Sequence, residues 1–235
     1  MKTCTHCGHE DHYCINNVPI FRDLSLDEKM SIMDQSSHKK YKKNEIIFMP
    51  GDSLSNLYVV NKGTVKISRI SDMGKEQIIR ILQPGDFIGE LTLFSSSVHK
   101  NTAEAIENTE VCIIQGQRIK ELLLQQPDMA LKFLQKYTER IEESERLIEQ
   151  VTLRDVEQRI ASYLLHEIEK NEIINKKGEY EINLPVSKGD LSSLIGTTQE
   201  TLSRKLSLLQ DSGIIRLEGQ RKIIVTDIDS LEELM

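Results

Sequence analysis

At 235 residues the chain is long enough for two modest domains with separate cores, and its 38% hydrophobic and 29% charged content excludes disorder over most of its length. No apolar run approaches the roughly 20 residues of a membrane span, and the N-terminus MKTCTHCGHE lacks the apolar stretch of a secretory signal, so the expected location is the cytoplasm. The net charge of −7 speaks against non-specific attraction to nucleic acid, yet the stretch from Leu184 to Thr226 is locally basic, with six cations against four carboxylates.

The first element is CTHCGHEDHYC, which places Cys4, Cys7 and Cys14 among His6, His9 and His12. In a reducing compartment such a cluster reads as metal-binding or redox-active before it reads as a structural disulfide. The two-residue gap between Cys4 and Cys7 is a ligand spacing. Cys4, Cys7, Cys14 and one histidine would make a self-contained zinc site. Four thiolates would suit an iron–sulfur cluster, and the chain has one further cysteine, Cys112. A lone strand cysteine is, taken alone, a small core hydrophobe.

From about Asn44 to Gln115 short apolar runs alternate with glycine turns at Gly51, Gly63, Gly74 and Gly85. That regularity predicts an all-β barrel or jelly roll. Thr64 to Ile70 alternates as a strand with one wet face should, and VCII at 111–114 reads as a late buried strand. His99 is the only histidine between residues 44 and 115, which leaves a cupin-like metal centre without a first shell. No Walker loop, dinucleotide fingerprint or Ser-His-Asp context is present, so the chain is expected not to be an enzyme and no catalytic residue is assigned.

After Pro127 the period becomes helical. Ala130, Leu134, Tyr137, Ile141, Ser144, Ile148 and Val151 are spaced by four and three in turn, a heptad seam that suits a partner helix better than a broad core. A homodimer joined through Leu134, Tyr137, Ile141, Ile148 and Val151 is expected. A helix packed on its own barrel is the alternative. A further helix from Asp155 to about Lys170 and a short strand at EYEINLP follow.

The stretch from Val186 to Asp227 carries the most specific pattern. Ser187 with Asp190 marks a helix start, Gly196 ends that short helix, Thr197 and Thr198 open a second one, and Gly213 closes it. The IIRL and IIVT runs then form a hairpin whose turn carries Arg221 and Lys222. This is a winged helix-turn-helix, and the first turns of its second helix meet base edges. Glu200 and Arg204 share one face of that helix, beside Ser203. Arginine can pair with guanine, and glutamate can accept from the cytosine amino group.

Taken together these segments resemble the cyclic-AMP receptor protein and fumarate-nitrate-reductase regulator (CRP/FNR) family of bacterial transcription factors, over nearly all of Val18 to Thr226. Gly85-Asp86-Phe87-Ile88-Gly89-Glu90-Leu91 is similar to the family's barrel motif, and ETLSR at 200–204 to its recognition helix. The resemblance implies an α+β fold: an N-terminal double-stranded β-helix (a jelly roll of the cyclic-nucleotide-binding type), a long dimerisation helix and a C-terminal winged helix-turn-helix. The boundaries are 1–17 for the Cys/His-rich sensor segment, 18–126 for the β-roll, 127–153 for the dimer helix and 154–235 for the DNA-binding domain. Implied partners are double-stranded promoter DNA, a second copy of the chain and RNA polymerase.

Glu200, Ser203 and Arg204 match the three readers of the FNR branch and imply a TTGAT-type half-site. Gln199 stands where the cyclic-AMP branch has arginine. Lys188, Arg221 and Lys222 complete the expected DNA-binding set. Nucleotide-binding members hold the phosphate with an Arg-Ser pair, and here Asn101-Thr102 occupies that place. His99 or Lys100 would have to substitute, and Glu90 without that arginine reads as a structural remnant. The FNR branch instead carries a 4Fe–4S cluster on three N-terminal cysteines and one in the barrel, matched by Cys4, Cys7, Cys14 and Cys112. The departure is a last gap of six residues where the best-known members have five. A reversible disulfide between an N-terminal cysteine and Cys112 is a further family option, beside zinc.

Overall fold

A computed structural model describes residues 18–21, 24–34, 36–53, 55–95, 98–171, 173–174 and 178–235. Cys4, Cys7 and Cys14 lie outside the described residues, as does the side chain of Val151. The chain divides into two compact units, one made of the described residues up to Gly74 with Ile79–Arg140, the other of Lys75–Ile78 with Ile141–Met235. The division falls inside a helix.

In the first unit the expected glycine turns are in place, each with positive φ. At Gly63 no other residue fits, since a Cβ would stand 2.6 Å from the Asn108 carbonyl oxygen. The strands between these turns are β1 (Ser36–Tyr41), β2 (Ile46–Phe48), β3 (Asn56–Lys62), β4 (Val65–Ile70), β5 (Glu76–Leu82), β6 (Phe87–Ile88), β7 (Thr102–Ala105) and β8 (Thr109–Gln115). They form two four-stranded sheets, in the orders β1-β8-β3-β6 and β2-β7-β4-β5. This is the jelly-roll fold expected from the sequence.

Period-two alternation sorts β3 and β8 into two layers. Tyr58, Val60 and Val111 enter the core between the sheets, together with Tyr41, Phe48 and Ile67. Leu57, Val59, Cys112 and Ile114 face the other way, into a layer of helices. That layer contains α1 (Leu26–Asp34), α3 (Gly116–Gln125) and the start of α4 (Pro127–Leu153), while α2 (Glu90–Phe94) adds Leu93. β4 departs from expectation: its supposedly wet face is dry, with Lys66 and Ser68 7% and 1% exposed. Burial of the Lys66 ammonium is tolerable because Glu104 on the neighbouring β7 lies 3.3 Å away.

The second unit holds the end of α4, then α5 (Val156–Asn171), β9 (Tyr180–Asn183), α6 (Lys188–Ile195), α7 (Gln199–Asp211), β10 (Ile215–Glu218), β11 (Lys222–Val225) and α8 (Ile228–Glu232). Asp155 caps α5 by accepting from the Glu157 and Gln158 amides at 2.8 and 3.0 Å, and the Gln158 amide in particular holds its carboxyl below the usual range. Ile160, Ala161, Leu164 and Ile168 make the buried stripe of α5, which packs on α6, α7, α8 and β9. The sheet runs β10-β11-β9. No described helix is long and apolar enough to cross a membrane.

Candidate nucleic-acid interface

The reading head is built by local capping. Ser187 accepts from the Asp190 amide at 3.1 Å and donates to the Asp190 carboxylate at 2.6 Å, fixing the start of α6. Gly196 ends it in the left-handed conformation, with φ of 80°, a position glycine occupies without strain. Arg159 from α5 then donates to the Ile195 and Gly196 carbonyls at 2.7 and 3.3 Å, closing the C-terminus of α6 and holding the turn. Thr198 caps α7 by accepting from the Thr201 amide at 3.2 Å. Leu202, Leu206 and Leu209 bury one face of α7, which turns Gln199, Glu200, Ser203 and Arg204 outward.

Among the described residues neither Glu200 nor Arg204 has an ion-pair partner, although their spacing would permit a mutual bridge. Both are left available on an exposed face. The wing turn is Gly219-Gln220-Arg221, and Arg221 is exposed. Lys222 is the first residue of β11 and is held by Glu181 at 3.0 Å and Glu218 at 3.3 Å, with its pKa raised chiefly by Glu181. Arg216 donates to both Glu179 carboxylate oxygens at 3.1 and 3.0 Å, and Lys205 pairs with Glu157 on α5. Of the six cations counted in the sequence, Lys188, Arg204 and Arg221 therefore have no ion-pair partner among the described residues. The other three fasten the domain together. Arg159 escaped the sequence reading because its role is to carbonyls far along the chain.

In the β-roll, the place where nucleotide binders hold phosphate carries different chemistry. Asn101 accepts from Arg69 at 2.9 and 3.2 Å. The His99 ring is buried and stacks on Phe48 with centroids 3.9 Å apart, while Lys100 is exposed. Glu90 is no mere remnant. It is 2% exposed and pairs with Arg140 of α4 at 2.5 Å, with Arg80 4.0 Å from the same carboxylate oxygen. Arg140 also donates to the Phe87 carbonyl at 2.6 Å and lies 4.3 Å over the Phe87 ring. Burial, with the Glu90 carboxylate adding to it, pushes the Tyr137 phenol above its ordinary range.

The residues expected to join two copies divide in the same helix. Leu134, Ile141 and Ile148 are 62%, 58% and 64% exposed, whereas Tyr137 is half-buried against the core of its own barrel. Cys112 sits on the central strand β8, opposite His38 of β1 and Val59 of β3, and is completely buried. Among the described residues no group of three or more His, Cys, Asp or Glu is arranged to hold a metal ion.

Two family models match the chain: a cyclic nucleotide-binding domain over residues 38–126 and a Crp-like helix-turn-helix domain over residues 158–234. The electron transport regulator A of Shewanella oneidensis is 30% identical over 226 residues, covering 93% of this chain and 88% of its own. An anaerobic regulatory protein of Haemophilus influenzae is 29% identical over 212 residues, covering 90% of this chain and 80% of its own. Among solved structures, FixK2 from Bradyrhizobium japonicum is similar with a TM-score of 0.72 and 25% identity, covering 85% of this chain and 96% of its own. Sheet order, capped helix pair and these matches agree: the chain belongs to the CRP/FNR family, whose members are DNA-binding transcription regulators and not enzymes.

Proposed function

We propose that the chain is a redox- or oxygen-responsive regulator that binds promoter DNA in the cytoplasm as a homodimer, with one α7 helix in each half of a TTGAT-type palindrome and RNA polymerase as the second partner. The observation that carries the DNA reading is the exposed Glu200–Ser203–Arg204 face, unpaired at the first turns of a capped helix. Lys188 and Arg221 flank it as phosphate contacts, with Gln199 at its edge; Lys222 serves by fixing the wing. The exposed Leu134, Ile141 and Ile148, seven residues apart, support pairing of two α4 helices.

For the signal, Cys112 would supply one thiolate and Cys4, Cys7 and Cys14 the other three of a 4Fe–4S cluster. The donor set fits that group, since four thiolates are its usual ligands. The Cys112 side chain lies in the same buried cluster as Val18, and the four residues from Cys14 to Val18 span at most about 14 Å, a short tether that supports Cys14 as its co-ligand. A cluster bound there supplies sensitivity to oxygen. The chain's own residues supply the anchor, since β1 and β3 hold Cys112 on β8 from both sides. The names of the Haemophilus and Shewanella relatives, an anaerobic regulator and an electron transport regulator, support a redox signal. A cyclic nucleotide is disfavoured by the Asn101–Arg69 bond and by the engagement of Glu90 with Arg140.

Arg204→Ala should cost about 1–3 kcal/mol of binding to a TTGAT palindrome, concentrated at the guanine it reads. Gel-shift measurements on base-substituted sites check this, and an equal loss on all sequences would reassign Arg204 to phosphate. Protein purified without oxygen should carry iron and sulfide, and Cys112→Ser should lose both. Oxidant sensitivity that depends on Cys112 without iron would assign a disulfide switch, and bound zinc indifferent to the change would assign a local zinc site.

A further inference from the structure

Helix α6 ends where the turn to α7 begins, so its last carbonyls govern where the reading helix starts. A helix leaves the carbonyls of its last turn without partners inside it. The Ser192 carbonyl accepts from the Gly196 amide and, at 2.9 Å, from the Thr197 amide. Arg159 donates to those of Ile195 and Gly196. The Ser193 and Leu194 carbonyls are met from far along the chain. Gln77 of β5 donates its side-chain amide to Ser193 at 2.6 Å, with Leu194 at 3.5 Å and its own neighbour Ile78 at 3.0 Å. Carbonyls on this side fix the orientation of the Gln77 amide, since only its NH2 end can face them. Gly196 leaves room for both helpers: a Cβ there would stand 3.1 Å from the Arg159 guanidinium and 3.8 Å from the Gln77 side-chain oxygen. Lys75–Ile78 belong to the same compact unit as α6 and α7, although β5 runs on to Leu82 beside β4.

We propose that Gln77 is a positioning residue for DNA recognition, a hydrogen-bonding latch outside the helix-turn-helix that holds the end of α6 and thereby the start of α7. The inference deepens the DNA-binding reading above and rests on it. Without Gln77 the Ser193 carbonyl loses the donor described for it, and the last turn of α6 is free to fray. Thr197 and Thr198 follow directly, and Thr198 caps α7. Glu200, Ser203 and Arg204 lie in the first turns of α7, so a loosened turn is felt first by the residues that face the bases. Apparent affinity falls in proportion to the fraction of molecules with the turn in place. Contacts to phosphate are less demanding, because they carry no sequence information and tolerate a shifted helix. The latch also makes recognition depend on a strand of the jelly roll. Arg80, on the same β5, lies 4.0 Å from the buried Glu90, so one strand carries both the latch and a charge beside that carboxylate.

The test uses the full chain and two variants. Gln77→Met keeps the length of the side chain and removes the donor. Gln77→Lys keeps a donor, and its charge suits a helix C-terminus. In DNA-free protein, Gln77→Met should speed amide hydrogen exchange in the segment 194–200 about fivefold or more, and leave exchange in β4 unchanged. On a duplex carrying the TTGAT palindrome the same variant should bind about five- to tenfold more weakly, the worth of one to two hydrogen bonds, with binding to unrelated DNA unchanged. Gln77→Lys should stay within about twofold of the native protein in both measurements. Unchanged exchange at the turn in Gln77→Met overturns the proposal, as does faster exchange spread equally through β4, which would mean a general loss of structure. Equal losses in the Met and Lys variants overturn it as well, since the donor would not be the cause. A native protein that ignores the TTGAT palindrome refutes that half-site, and the exchange measurement, made without DNA, still decides the latch.

Discussion

The two halves of α4 share one helix and one heptad spacing yet do opposite things. In the first half Met129 and Phe133 are each 3% exposed, the Phe133 ring lies 5.6 Å from Phe87, and Arg140 is clamped by Glu90. In the second half Ile141, Ile148 and Leu153 are 58%, 64% and 78% exposed. The first half carries two apolar stripes, one towards its own barrel and one outward. Among its described side chains the second carries the outward one, through Ile141 and Ile148. Heptad spacing thus tells which residues share a face of a helix, and it does not tell what that face meets. The alternative of a helix packed on its own barrel describes the first half, and a seam open to a partner describes the second.

The contrast can be broken most severely at Phe133. Phe133→Ala should destabilise the barrel unit by about 3–5 kcal/mol, through lost burial and the cavity left among Phe87, Leu93 and Met129. Urea unfolding checks this, and an unchanged midpoint would mean the first half is not held by the barrel. Arg140→Ala should come next, at about 3 kcal/mol, because it leaves the Glu90 carboxylate buried with Arg80 only at 4.0 Å. The double variant Glu90→Gln with Arg140→Met should recover most of that loss, and failure to do so would show that the ion pair was not the cause. The smallest effect on the folded monomer belongs to Ile148→Lys, within about 0.5 kcal/mol since the side chain is exposed. The same change should nevertheless abolish the dimer in sedimentation, by placing a charge in the seam. A large loss of monomer stability would put Ile148 in an intramolecular core.

The jelly roll and the helix-turn-helix were legible in the sequence because their signals are local. Gly51, Gly63, Gly74 and Gly85 stand at turns with positive φ, and Ser187, Gly196 and Thr198 cap the helices they announce. Strand β1 was not legible: SSHKKY has no apolar alternation, and its lysines suit a sheet edge that discourages further pairing. Helix α1 carried a readable signal, with Ser25 and Glu28 forming a reciprocal capping box. The Glu90–Arg140 pair could not be found that way, since fifty residues separate the partners and no local pattern connects them. For the reading head, the sequence named Arg204 as a base reader and Lys222 as a DNA contact, and counted Arg216 only among the six cations. The fold shows what the sequence could not, that Arg216 and Lys222 are bound to Glu179, Glu181 and Glu218.

The position of Cys112 has a mechanical consequence. Its backbone is held on both sides, by His38 of β1 and Val59 of β3, so the strand behaves as a stiff beam. Its sulfur points into the helical layer, where Val18, Phe21, Met129 and Phe133 fill the space. Close packing means that a metal–sulfur bond formed at that sulfur requires these neighbours to move apart. The ladders to β1 and β3 hold the strand itself, so the side chains that would have to yield to a new bond at the sulfur are those of the helical layer, with Met129 and Phe133 at the start of α4 among them.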